Sequence, residues 1–208
     1  MYIYIFGSIC RGEIDKYSDV DLLAVVNEKD NINSNLDTNK FSVYQKQRLS
    51  ELWKEGNPFA WHLHLESKLI YTNTNDNFIQ KLGKPEPYKN LNNDLNKFYN
   101  LFLESLKSIK CTRNSEVFDL SMVFLGIRNF ASCFSLGNLN EYNFSRDSAL
   151  KLNEYSLKIS QKNFEVLERA RILSTRGYGI QITSDEVQNV LLETDKIQEW
   201  FEKILKKL

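Results

Sequence analysis

The chain has 208 residues, is 42% hydrophobic and 26% charged, and balances 27 basic against 27 acidic side chains for a formal net charge of zero. That length holds one large domain or two small ones, and the even charge excludes a uniformly basic nucleic-acid binder while leaving room for a local basic patch. No run approaches the roughly 18 apolar residues that span a bilayer, the opening "MYIYIFGS" has neither a basic region nor a cleavage site, and Cys10, Cys111 and Cys133 lack metal-type spacing, so the expectation is free thiols in a reducing cytoplasm and no membrane.

In chain order, Tyr2–Phe6 is a β-branched and aromatic run that predicts a strand, broken by Gly7 and Ser8. Residues 9–14 suit one or two helical turns and 15–18 a loop. Residues 19–26 alternate and then turn apolar, which predicts a second strand buried on at least one face. Residues 27–39 are polar and asparagine-rich and read as a loop. Residues 43–54 have helical spacing, with Val43, Leu49, Leu52 and Trp53 on the buried side and Gly56-Asn57-Pro58 as the stop. In "FAWHLHLESKLIY", Trp61, Leu63 and Leu65 alternate with His62, His64 and Glu66. That period of two predicts a strand with one polar face.

Residues 72–89 are polar and contain Pro85 and Pro87, so a boundary is placed there, between a domain at 1–88 and another at 89–208. From Asn90 on, Leu91, Leu95, Phe98, Leu101, Phe102 and Leu106 recur at helical spacing. Further helices are predicted over 116–136, 146–159 (with an interruption), 161–174 and 184–205. Ser184, Asp185 and Glu186 suit the start of the last one. The fold class expected is α+β: a small mixed sheet followed by an α-helical bundle.

The chemistry concentrates in "FGSICRGEIDKYSDVDLL". Gly7 and Gly12 match the outer glycines of a phosphate-binding P-loop, but Glu13 and Ile14 stand where Lys and Ser or Thr belong. The G-x-G-x-x-G spacing is absent as well. A strand that turns through Gly7 and Ser8 into a helix still offers backbone N–H groups and a hydroxyl to phosphate oxygens. Arg11 adds a charged donor. Asp19 and Asp21 fall on one face of their strand, with Val20 on the other, and a divalent cation would relieve their repulsion. Mg²⁺ suits such a pair, because it binds a few carboxylates together with substrate phosphates. Phosphate and metal side by side point to nucleotidyl transfer by a two-metal scheme.

This stretch resembles the signature of the nucleotidyltransferase superfamily that includes DNA polymerase β and the aminoglycoside nucleotidyltransferases. Gly7-Ser8-Ile9-Cys10-Arg11-Gly12 and Ser18-Asp19-Val20-Asp21-Leu22 carry the likeness over residues 6–26. The small size is most similar to the minimal nucleotidyltransferases. The resemblance implies that Gly7 and Ser8, with Arg11 and Ser18 beside them, contact the phosphates of ATP or another nucleoside triphosphate, and that Asp19 and Asp21 bind Mg²⁺. It also implies a third acid on a neighbouring strand, as metal ligand or general base. Glu66 is the only carboxylate on the predicted strand, and His64 is the other candidate. The H-x-H of His62 and His64 also suits zinc, but only Cys10 is at hand as a further ligand.

In the second half, "FLGIRNFASCF" resembles the Arg-x4–6-His motif of HEPN ribonucleases, yet no histidine follows Arg128-Asn129, which disfavours that activity. Arg169, Arg171 and Arg176, with Tyr178, either serve phosphates or pair with Glu165 and Glu168. Phe118, Phe124, Phe130 and Phe134 read as core. Two functions are carried forward. One is an enzyme that moves a nucleoside monophosphate to a hydroxyl of an antibiotic, a protein or an RNA. The other is a non-catalytic, antitoxin-like interaction protein of the same fold. A homodimer or a partner protein fits either.

Overall fold

The computed structural model describes residues 1–14, 20–27, 37, 40–112 and 115–208. They divide into two compact units, Met1–Lys89 and Asn90–Leu208. The first is a mixed four-stranded sheet with helices, and the second is helical, an α+β chain.

In the first unit, β1 (Tyr2–Phe6) lies between β2 (Asp21–Val26) and β4 (Ser67–Thr72), antiparallel to both, and β3 (Phe41–Gln45) runs parallel to β2 at the sheet edge. A parallel neighbour needs a long crossover, and residues 27–40 supply one. Most of that predicted loop lies outside the described residues. Tyr2, Tyr4 and Phe6 of β1 and Leu23 and Val25 of β2 share one sheet face. Leu49, Leu52 and Trp53 of α2 (Lys46–Lys54) and Ala60 and Leu63 of α3 (Pro58–Glu66) close the core over it.

Two predicted elements differ here. Residues 41–45 are a strand, and the helix begins only at Lys46. Val43 had matched the helical spacing of α2, but Gln45 is still extended, so the register runs from strand straight into helix. The second difference is larger. The "WHLHLE" segment is helical, and the strand begins at Ser67. Gly56 turns the chain at φ 63°, Pro58 presets the first helical φ, and the Asn57 side chain accepts the Phe59 N–H at 2.9 Å. Capping outweighs the alternation, and Leu65, expected inside, is 44% exposed. A short helix, α4 (Phe78–Leu82), also interrupts the polar stretch after β4.

In the second unit α5 (Leu91–Thr112), α6 (Glu116–Phe134) and α7 (Gln161–Arg176) pack in succession. Gly126 of α6 lies against α5, where an added Cβ would meet the Phe98 carbonyl at 3.0 Å. Residues Glu116–Leu139 are long and apolar enough to cross a membrane by length and composition, but 67% of that window is buried inside the protein. A helix apolar on every side is a core helix in such a setting.

Phe124, Phe130 and Phe134 are core as expected, whereas Phe118 is 54% exposed. The helix predicted over 146–159 reduces to two 3₁₀ turns, Ser148–Leu150 and Asn153–Tyr155. The last predicted helix is two, α8 (Ser184–Leu191) and α9 (Thr194–Leu205). A capping box of Thr183 and Glu186 starts α8, so the cap sits one residue before the predicted Ser184.

Candidate active site

The site is built where β1 ends. Phe6, its last residue, pairs with Asp21 on one side and with Ser67 on the other. Gly7 then donates its N–H to the Glu66 carbonyl at 3.3 Å. Asp21 and Glu66 therefore flank the same turn from the two neighbouring segments. Directly opposed residues share a face, so Asp21 lies on the face that carries Phe6.

Gly7 is required at the turn. Its φ of 78° with ψ of −143° is open to glycine and scarcely to other residues. An added Cβ would also stand 2.7 Å from Asp21 Oδ2. The Asp21 carboxylate thus presses against the bare Cα of the turn and remains exposed to solvent. After the turn, α1 (Ser8–Arg11) makes a single helical turn that closes on Gly12 in the left-handed region. Ser18 and Asp19 lie outside the described residues.

Glu66 is the last residue of a helix and not part of a strand, which changes its company. On a helix, residues four apart share a side and residues two apart do not. His62 therefore stands beside Glu66, with Nε2 2.9 Å from Oε2. Arg11 Nη1 donates to the same Glu66 oxygen, and Arg11 Nε donates to Glu13 Oε2 at 2.7 Å. Burial pushes the Glu66 carboxyl up, but His62 and Arg11 outweigh it and hold the group below the usual carboxylate range. His62 in turn packs edge-on against Phe6, ring centres 5.6 Å apart, and against Phe59 at 6.5 Å.

His64 sits elsewhere on α3, edge-on to Trp61 at 6.3 Å, and burial together with nearby Lys84 lowers its pKa. Its expected share in one polar face with His62 and Glu66 is lost with the strand. Cys10 Sγ donates to the Ile5 carbonyl at 3.4 Å, and burial pushes the thiol up, so it is a poor nucleophile. Among the described residues no group of three or more His, Cys, Asp or Glu side chains forms a metal cluster. The zinc reading of His62 and His64 therefore has no support among them.

Residues 2–91 match the family model described as a nucleotidyltransferase domain. Over that stretch, less than half of the chain, the N-terminal unit is similar to nucleotidyltransferase domains. No curated protein matches the chain. Within this unit the fold brings together four of the residues singled out in the sequence: Gly7, Arg11, Asp21 and Glu66. The residue that the sequence reading undervalued is His62. Its signal was present as a His-x₃-Glu spacing, which has meaning only on a helix.

In the helical unit, Arg128 Nη2 donates to the Phe144 carbonyl at 2.8 Å. Arg169 pairs with Glu186 at 2.7 Å, and Arg171 Nη1 reaches Ser121 Oγ at 3.5 Å.

Proposed function

We propose that the chain transfers a nucleoside monophosphate from a nucleoside triphosphate to a hydroxyl acceptor with the help of Mg²⁺, in the cytoplasm. The observation that carries this reading is the contact at Gly7. The turn that would hold the phosphates and the carboxylate that would hold the metal are packed so closely that no side chain fits between them. An exposed, hard oxygen donor beside a backbone turn suits a cation that binds carboxylate and phosphate together.

The residues divide the work as follows. Ser8 and the backbone after Gly7 receive the triphosphate oxygens, with Ser18 nearby in sequence. Asp21 and Asp19 hold the metal, and Glu66, across β1 from Asp21, completes the set or takes the proton of the attacking hydroxyl. Arg11 fixes Glu66 as an anion and stands ready to share its guanidinium with a phosphate. Bound Mg²⁺ supplies neutralisation of phosphate charge and acidification of a coordinated hydroxyl. The acceptor class is a hydroxyl on an antibiotic, a protein side chain or an RNA end.

One observation favours a second reading. Arg11 already pairs with the Glu66 carboxylate, and His62 lies against the same oxygen, as in a domain that keeps the fold and binds nucleotide or a partner protein without turnover. Incubation with labelled ATP, GTP, CTP and UTP, Mg²⁺ and a panel of acceptors separates the two. Label transfer that disappears in Asp21→Asn is the expected result. Nucleotide binding with no transfer to any acceptor would favour the interaction protein.

A further inference from the structure

We propose that His62 is a positioning residue that clamps Glu66 in one orientation for the metal site. The inference rests on the function proposed above. A glutamate can swap its two oxygens by rotation about its last bond, a broad and soft torsion. In this protein two nitrogens from different elements converge on the single oxygen Oε2: Arg11 Nη1 of α1 donates to it, and His62 Nε2 of α3 lies 2.9 Å from it. Rotation would have to break both interactions together. The side chains of His62 and Glu66 are only 13% and 11% exposed, so water competes weakly for that oxygen.

His62 is itself held. Its ring meets the edges of Phe6 and Phe59, each at an interplanar angle of 77°. Phe6 is the residue paired with Asp21 across the sheet. One line of contacts thus runs from the strand pair that bears Asp21, through Phe6 and His62, to the Glu66 carboxylate. Oε2 is the clamped oxygen, which assigns Oε1 to the cation or the acceptor proton. Partners one step behind a metal-binding carboxylate set its direction, and their loss commonly weakens metal binding by about 10–100-fold.

The test uses the full chain and two variants. His62→Leu keeps bulk and removes the ring nitrogen, and His62→Gln returns a nitrogen near the position of Nε2. Three measurements are made: Mn²⁺ affinity by calorimetry in the presence of α,β-methylene ATP, kcat and KM for labelled triphosphate, and the Glu66 side-chain carboxyl carbon signal in the metal-free protein. His62→Leu is expected to weaken Mn²⁺ binding and kcat by about 10–100-fold, to leave KM for the triphosphate unchanged and to shift the Glu66 signal. His62→Gln should recover most of each. Equal losses in both variants would reduce His62 to packing and overturn the proposal. So would a folded His62→Leu protein with native metal affinity and an unmoved Glu66 signal. Failure of the native chain to bind Mn²⁺, with the Glu66 signal still responding to His62→Leu, would instead overturn the metal-dependent function.

Discussion

Gly7 shows how one residue without a side chain can hold a site together. Its backbone lies in a region costly for any other residue, and its Cα faces the Asp21 carboxylate. Gly7→Ala is expected to lower stability by about 1–3 kcal/mol from backbone strain, read from the urea midpoint. The same change should abolish nucleotide transfer even where the protein stays folded, because the new methyl displaces Asp21. Arg11 illustrates the opposite case, a residue defined by its partners. It serves Glu66 and Glu13 at once. Arg11→Lys keeps the charge but loses the fork that reaches both. It should therefore weaken transfer while leaving the urea midpoint nearly unchanged.

At the scale of elements, α3 decides the site, because its last turn carries both His62 and Glu66. Its start depends on Asn57. Asn57→Ala should cost about 1 kcal/mol in urea unfolding and should reduce transfer along with it. The segment also shows why strand and helix were hard to separate in the sequence. Six residues of alternating polarity, Trp61 to Glu66, satisfy a strand, yet Ala60 and Leu63 equally satisfy one helical face, and the cap breaks the tie. β3 was illegible for a related reason: five residues continuous with a helix offer too short a pattern to register a change of period.

The turn at 145–151 in the helical unit allows a test with pH. Burial pushes the Asp147 carboxyl up, but Lys151, at 2.8 Å, and the Ser145 hydroxyl, at 2.6 Å, hold it below its ordinary value. A carboxyl depressed by folding contributes stability above its unfolded pKa of about 3.9 and loses it as the pH falls through the folded value. The stability gap between the native protein and Asp147→Asn should therefore be present at pH 6 and shrink toward pH 3 in urea titrations.

On the scale of the molecule, each unit has its own core. Phe102, Phe130, Trp200 and Phe201 pack together in tilted and edge-on contacts in the second unit, and Tyr4, Phe6, Leu23 and Leu63 pack in the first. Gly126→Val would force α5 and α6 apart at Phe98, an overpacking expected to cost about 1–3 kcal/mol. In amide exchange on the full chain, protection should fall along α5 and α6 and persist in β1 and β2. Loss of protection in both units together would contradict separate cores.

The sequence by itself determined the first strand, the glycine turn and the helical second half. Each of these rests on local rules: β-branched runs, a backbone angle open only to glycine, and spacing along one helix. The tertiary structure alone decided that Glu66 ends a helix, that His62 and Arg11 meet on one of its oxygens, and that Asp21 abuts Gly7. Those facts depend on strand pairing across residues far apart in the chain, and on a cap whose effect appears only once the helix it starts is packed.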